Sequence, residues 1–272
     1  MKAGTTWVHD YLARAPECVS GYRKEYHVLD ALDLPSQRWM RDRIATQAAR
    51  ASEDLLAGRA AKPHALHRAA MLTDPALYPA YFAGLLHAGG HRLTLDITPS
   101  YAMLGPERLE WVVREFARHR VRVVACFLMR DPVERIWSHV RMVKGRRPEA
   151  YPRSSEEHFL ELYREPTFAD RSRYEHTLAS LQQAVDPADR FVGFYESLFT
   201  EDTTRALCAT IGISAPPADF AATRNASPLP VETLADATAR AAAAHFRGTY
   251  DAVRAACPEV DLAALWPRSA PA

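Results

Sequence analysis

The chain opens on Lys2-Ala3-Gly4-Thr5-Thr6-Trp7 and runs directly into an amphipathic helical pattern. A glycine turn lets backbone approach a phosphate closely. The first N–H groups of a helix are unpaired and point at such an anion, with the positive end of the dipole behind them. Thr5 and Thr6 add hydroxyl donors, and Lys2 adds a mobile point charge. The same residues also read as an ordinary threonine helix start with a lysine nearby. The spacing is not GxxxxGK followed by Ser or Thr, which disfavours an ATP or GTP hydrolase.

A second group follows an apolar run: Arg130-Asp131-Pro132, then Arg135 and Ser138. Asp131, Pro132 and Glu134 have the types that start a helix: an N-cap acid, proline at the first position and glutamate at the third. Ile136, Trp137, Val140 and Val143 form its apolar stripe, and at about 100° per residue Ser138 falls nearly opposite. Arg130 stands just past a strand end, the edge where ligands bind in open α/β sheets. A guanidinium there, with a hydroxyl eight residues on, can grip a phosphate. Arg130 is equally open to an ion pair with the acids at the helix start, and for Arg135 that pairing is the expectation.

The elements that must position these groups read as α/β. Three stretches have strand character: 91–97 (HRLTLDI), 121–129 (VRVVACFLM) and 190–195 (RFVGFY). Nearly continuous apolar runs between helical segments predict a parallel sheet covered on both faces. Helical periodicity covers 5–13, 106–119 and 171–184. It also covers a long segment, 231–256, in which Thr238 interrupts the apolar stripe. Residues 36–90 and 144–170 carry no strand signal and read as helical or loop insertions in a single domain spanning 1–272.

Lys and Arg number 34 against 33 Asp and Glu, a net charge of +1. That balance argues against a nucleic-acid or membrane-surface binder, so an anion site must come from a few placed residues. Cys18, Cys126, Cys208 and Cys257 form no CxxC pair and read as reduced core thiols. His64, His67, His87 and His91 match no metal spacing and read as surface or packing residues. No apolar run spans a bilayer and no signal peptide precedes Lys2, so a cytoplasmic protein is expected.

Taken together and in this order, the motifs resemble the sulfotransferase family. Lys2 to Thr6 is similar to its 5′-phosphosulfate loop, and Arg130 to Ser138 to its 3′-phosphate site. Tyr195-Glu196-Ser197-Leu198 resembles its Tyr-Glu-x-Leu segment. Thr98-Pro99-Ser100-Tyr101 and Lys24-Glu25-Tyr26-His27 resemble the Thr-Pro-x-Tyr and Lys-Glu-x-His segments of carbohydrate-type and bacterial members. The likeness spans residues 2 to about 200.

The resemblance implies a P-loop-like three-layer fold with a central parallel sheet flanked by helices. It implies in-line sulfuryl transfer from 3′-phosphoadenosine-5′-phosphosulfate (PAPS) without a required metal, leaving 3′-phosphoadenosine-5′-phosphate (PAP). The acceptor would be a hydroxyl or amine of a carbohydrate or small molecule. Lys2, Gly4, Thr5 and Thr6 would hold the 5′-phosphosulfate, with Lys2 also stabilising the departing phosphate. Arg130 and Ser138 would hold the 3′-phosphate, and Trp7 would stack near the adenine or pack in the core. Glu25 matches the family's base; His27 is the alternative, and the two would share a face of a strand-like stretch. Asp96, at a strand end, is a third candidate.

Where many relatives carry a lysine beside the Thr-Pro turn, this chain has Ile97, and Lys24 could supply that charge. Arg224-Asn225 could contact the nucleotide or form a polar loop. Relatives also carry an apolar strand before the phosphate loop, absent here; a start of the reading frame upstream is the expectation, and a fold that lacks the strand and binds donor weakly is the alternative. A non-catalytic nucleotide-binding protein is the competing expectation, and oligomeric state is not predicted.

Overall fold

A computed structural model describes residues 2–221 and 232–270; Arg224 and Asn225 lie outside the described residues. The helices are α1 (Thr5–Leu12), α2 (Leu29–Asp33), α3 (Arg38–Leu56), α4 (Pro63–Thr73), α5 (Leu77–Gly89), α6 (Pro106–Arg118) and α7 (Pro132–Arg146). They continue as α8 (Ser155–Leu162), α9 (Pro166–Ala169), α10 (Tyr174–Ala184), α11 (Glu201–Ile211), α12 (Asp236–His245), α13 (Arg247–Ala256) and α14 (Leu262–Leu265). The strands are β1 (Cys18–Val19), β2 (Leu93–Thr94), β3 (Ala125–Met129) and β4 (Arg190–Phe194).

The class is α/β and the pairing is parallel, but helices dominate. Among the described residues the strands form two separate pairs, β1 with β2 and β3 with β4. The strands are also shorter than their apolar runs. Arg120 takes a left-handed φ of 58° after α6, and the Val121 N–H bonds back to Phe116 O at 3.1 Å. The start of the 121–129 run is thus spent closing a helix. At 91–97, the Arg92 and Leu93 amides both donate to Glu17 O (3.0 and 3.1 Å), and only two residues pair as strand.

The long C-terminal helical segment is likewise two helices, broken at Phe246. Its ring is buried in the core, and Gly248, a weak helix former, follows it. Thr238 points at α8, donating to Glu156 at 2.5 Å. Of the four cysteines, Cys208 and Cys257 are buried, Cys18 is half-buried and Cys126 is exposed, so only two fill core positions as expected.

Four apolar clusters hold these elements; the smallest sets Met40 and Ile44 of α3 against Ala31. One packs β3 and β4 between α7, α10 and the C-terminal helices, with Trp266 fully buried in it. A second lies under the chain start: Trp7, Val8, Tyr11 and Leu12, the stripe read in the sequence, meet Phe191, Leu198 and Leu207. A third joins α4, α5 and α6 to Tyr26, Val28 and Leu29.

Candidate active site

Pairing of β3 with β4 sets Met129 opposite Phe194. Arg130 and Tyr195 therefore leave the sheet side by side, and the Arg130 guanidinium lies over the Tyr195 ring, 4.6 Å from its centre. Tyr174 clamps the Arg130 backbone: its hydroxyl donates to the carbonyl (2.7 Å) and accepts from the amide (3.3 Å). Asp131 caps α7, accepting from the amides of Val133 (2.9 Å) and Glu134 (3.2 Å). Glu134 does not return the bond. The Asp131 amide donates instead to Glu196 of the Tyr-Glu-Ser-Leu segment at 3.1 Å, so that segment fixes the strand-to-helix turn. Burial pushes the Asp131 carboxyl up to about 6, against the pull of the two amides and Arg268.

The chain start meets this turn. Arg130 Nη1 donates to Lys2 O at 3.4 Å. Gly4 is left-handed (φ 82°) and caps α1 without a side chain. A Cβ there would sit 2.4 Å from Leu198 Cδ2 and 3.3 Å from Tyr195, so both its conformation and its surroundings require glycine. Lys2 also takes a left-handed φ, 68°. Burial, then the charges of Arg130, Arg146 and Arg141, lower the pKa of its amine. Ser138 is half-buried and lies on one face of α7 with Glu134 and Arg141, while the other residues of 132–140 are buried. These residues make a cationic rim around an uncapped helix start.

One reading is corrected here. Arg135 makes no ion pair at the helix start. It is 1 % exposed and turns inward to donate to the Ser172 hydroxyl and Phe168 O, pinning the chain that follows α9. Trp7 packs: its ring stacks on Tyr11 (5.1 Å) and lies nearly parallel to half-buried Phe220 (5.9 Å), and its Nε1 donates to Asp219 O.

The second half of the site is built by two segments far apart in sequence. The Tyr26 amide donates to Thr98 Oγ1 (3.0 Å), and the Ile97 amide to Lys24 O (2.9 Å). The Val28 amide donates to the Tyr101 hydroxyl (3.2 Å), and the Ser100 hydroxyl to Asp30. The Thr-Pro-Ser-Tyr turn is thus the mould for residues 24–30. Asp96 belongs to this mould. Its carboxylate accepts from Thr98 (2.6 Å), Tyr78 (2.8 Å), Tyr101 (3.1 Å) and the Tyr26 amide (3.3 Å). Desolvation raises its pKa in spite of these donors.

Residues 24–28 are not a strand. His27 takes a left-handed φ of 53°, and this turn brings its ring back to Glu25. Nε2 lies 3.3 Å from Glu25 Oε2, and Nδ1 lies 2.7 Å from Asp30 Oδ2, a fully buried carboxylate. Lys24 Nζ donates to Glu25 at 2.7 Å and to Ile97 O at 3.4 Å. Desolvation opposes charge on Glu25, but the bonds from His27 and Lys24 outweigh it and hold the carboxyl near 2. Desolvation likewise opposes charge on His27, yet Asp30 and Glu25 raise it to about 9. At neutral pH, Lys24, Glu25, His27 and Asp30 form a chain of alternating charge.

Arg171 lies within the Arg135-pinned turn and donates to Thr167 O at 3.4 Å; burial lowers its pKa against the pull of the carboxylates of Asp30, Asp170 and Glu25. Arg135, Arg171 and Lys2 all act on His139, which burial above all holds neutral, near 2. Sequence reasoning missed Arg171, Asp30, Glu196 and Arg141. Glu196 stands inside a motif already quoted, Asp30 lies three residues past His27, and Arg141 follows Ser138 by one helical turn. Arg171 has no local signal, because a buried arginine on another helix places it. Lys2 and His27 are two of three non-glycine residues with left-handed φ among those described, and such backbone collects at functional sites. The described residues contain no group of three or more His, Cys, Asp or Glu arranged to hold a metal, and no helix long and apolar enough to cross a membrane.

Comparison with known proteins agrees with this geometry. No curated protein gives a significant match. The crystal structure of a sulfotransferase from Alicyclobacillus acidocaldarius superposes with a TM-score of 0.59 at 16% identity, covering 97% of this chain and 94% of that one. That is a likeness of fold. A profile of the sulfotransferase family matches residues 1–217, a span holding the loop at Gly4, the Glu25–His27 pair, the Arg130 turn and the Tyr-Glu-Ser-Leu segment. The chain therefore belongs to the sulfotransferase family.

Proposed function

We propose that the protein transfers a sulfuryl group from PAPS to a hydroxyl of a carbohydrate or small-molecule acceptor. The observation that carries this reading is the gathering of Lys2, Arg130 and Arg141 around the uncapped start of α1, where Gly4 alone fits against Leu198. Arg130 also pairs with Glu134 across 3.8 Å, and positive groups beside the free N–H groups of a helix start favour an anion there. A donor with a 5′-phosphosulfate and a 3′-phosphate fits two such stations. Lys2, Gly4, Thr5 and Thr6 would hold the first, and Arg130 and Ser138 the second. When bound, the donor supplies the sulfuryl group and a phosphate leaving group.

Glu25 is the base. As the acceptor oxygen bonds to sulfur and the sulfur–phosphate oxygen bond breaks, the hydroxyl proton becomes strongly acidic. A carboxylate of low pKa can then accept it. Lys2 donates to the leaving phosphate oxygen, where charge grows in the transition state. His27, protonated and held by Asp30, fixes the Glu25 carboxylate.

Calorimetric titration with PAP tests the donor site, with ATP plus magnesium as control. Saturable PAP binding that is lost in Arg130→Ala, with no ATP binding, is expected. Absence of PAP binding by the folded protein overturns the reading. Turnover with a hydroxylated acceptor separates an enzyme from a nucleotide-binding protein.

A further inference from the structure

Arg68 has no part in the chemistry above, and its surroundings are unusual. It lies in α4 and is 3 % exposed. Nη2 donates to the thioether sulfur of Met40 at 3.6 Å, and Nε is buried without a hydrogen-bond partner. No carboxylate among the described residues pairs with it. Arg135, equally buried, at least donates to a hydroxyl and a carbonyl. A guanidinium taken out of water without a counter-ion is destabilising until an anion reaches it. Around Arg68 the nearest charges make this worse. After burial, Arg23 and then Arg43 lower its pKa, to about 10, and only the phenols of Tyr22 and Tyr101 oppose them.

Position gives this charge a purpose. His67, the preceding residue, has Nδ1 3.3 Å from the Tyr22 hydroxyl, and the His64 ring lies 5.5 Å from the Tyr22 ring. Tyr22 stands three residues before Glu25. Tyr101, the other phenol acting on Arg68, binds the amides of Val28 and Leu29 just after His27. Arg68 is therefore within electrostatic reach of both ends of the segment that carries the base. Arg23 adjoins Lys24, and Arg43 is exposed on α3, so the cluster runs from the interior to solvent.

We propose that Arg68, with Arg23 and Arg43, receives an oxyanion carried by the acceptor. The site thereby selects hydroxylated molecules that bear a carboxylate or sulfate, such as a uronate or a sulfated sugar. The inference rests on the reading of Glu25 as the base that faces the acceptor. A buried guanidinium lacking a partner in the free protein is satisfied when such a ligand binds, and a neutral acceptor leaves it unpaired.

The test uses the full chain saturated with PAP, which keeps anions off the Lys2 and Arg130 station. Calorimetry measures glucuronate, glucose 6-sulfate, glucose and inorganic sulfate on the wild type and on Arg68→Met. Glucuronate or glucose 6-sulfate should bind at least about tenfold more tightly than glucose, and that advantage should vanish in Arg68→Met with PAP affinity unchanged. The ligand-free Tm of Arg68→Met should rise, because an unpaired buried charge has been replaced by an apolar chain of similar length.

Equal affinity for glucose and the charged sugars overturns the proposal, as does unchanged preference in Arg68→Met. Inorganic sulfate binding as tightly as the sugars also overturns it, leaving a free-anion site. Should Arg68→Met fail to fold, Arg43→Ser, on an exposed position, decides. Loss of the preference for charged sugars supports the proposal, and its retention overturns it. If PAP itself does not bind, the same titrations in an Arg130→Ala background read the oxyanion preference independently of the donor site.

Discussion

Lys2 and Glu25 are charged groups whose neighbours have opposite effects. The guanidinium groups around Lys2 weaken its hold on a proton, while Lys24 and His27 stabilise the negative charge of Glu25. Lys2→Ala should therefore lower kcat by about a hundredfold or more, as loss of one transition-state donor does, while PAP affinity falls much less. Equal losses in the two measurements remove that role. The pH dependence separates the two candidate bases. With Glu25 as base and protonated His27 as its support, kcat/KM stays level across neutral pH and declines as His27 loses its proton near 9. If neutral His27 took the proton, the rate would climb toward the same pH. Glu25 imposes no acid limb in the working range, because it stays ionised down to about 2.

At the scale of elements, the site is a set of turns held by side chains from other elements. The loop at Gly4 rests on Leu198 of the Tyr-Glu-Ser-Leu segment, and the start of α7 is tied to Glu196 of the same segment. Gly4→Ala adds both the overlap with Leu198 and about 1–2 kcal/mol for a left-handed alanine. PAP affinity should fall by more than tenfold in Gly4→Ala, and Leu198→Ala should restore only part of it, since the backbone cost remains. Full restoration would show that crowding alone matters. What was legible in the sequence divides along the same line. The stripe of α1 and the Asp131-Pro132 start of α7 are local patterns, and the structure has both. The inward turn of Arg135 was not legible, because its partners at Phe168 and Ser172 come from another part of the chain. The strand ends were over-read because apolar residues after Arg120 also serve to close a helix. Glu25 and His27 were readable as a pair, but only the left-handed turn at His27 explains how their side chains meet.

For the molecule as a whole, the two halves of the site are supported by different cores. Behind β3 and β4, Trp266 touches Tyr174, Phe194 and Tyr250, and Arg268 pairs with Glu134 at 2.7 Å. Tyr174 in turn clamps Arg130, so the C-terminal segment backs the half of the site that holds Lys2 and Arg130. Trp266→Ala should cost about 3–5 kcal/mol in urea unfolding, with PAP affinity falling alongside; an unchanged midpoint would mean this segment is not part of the core. The Glu25 half is closed differently. Residues 24–30 are bonded to 96–101, and Arg108 grips Asp33 with two bonds (2.5 and 2.7 Å). The helices α3, α4 and α5 leave and return through this fastening. Closure entropy grows slowly with the length of such an excursion, so its two ends stay in register whatever lies between them. The fastening thus makes that stretch a replaceable cartridge. Helices from a relative could be grafted in with the Tyr78 hydroxyl on Asp96 and the Tyr81 hydroxyl, which meets the Tyr22 amide and the Tyr26 hydroxyl, retained, carrying their own choice of acceptor onto an unaltered frame.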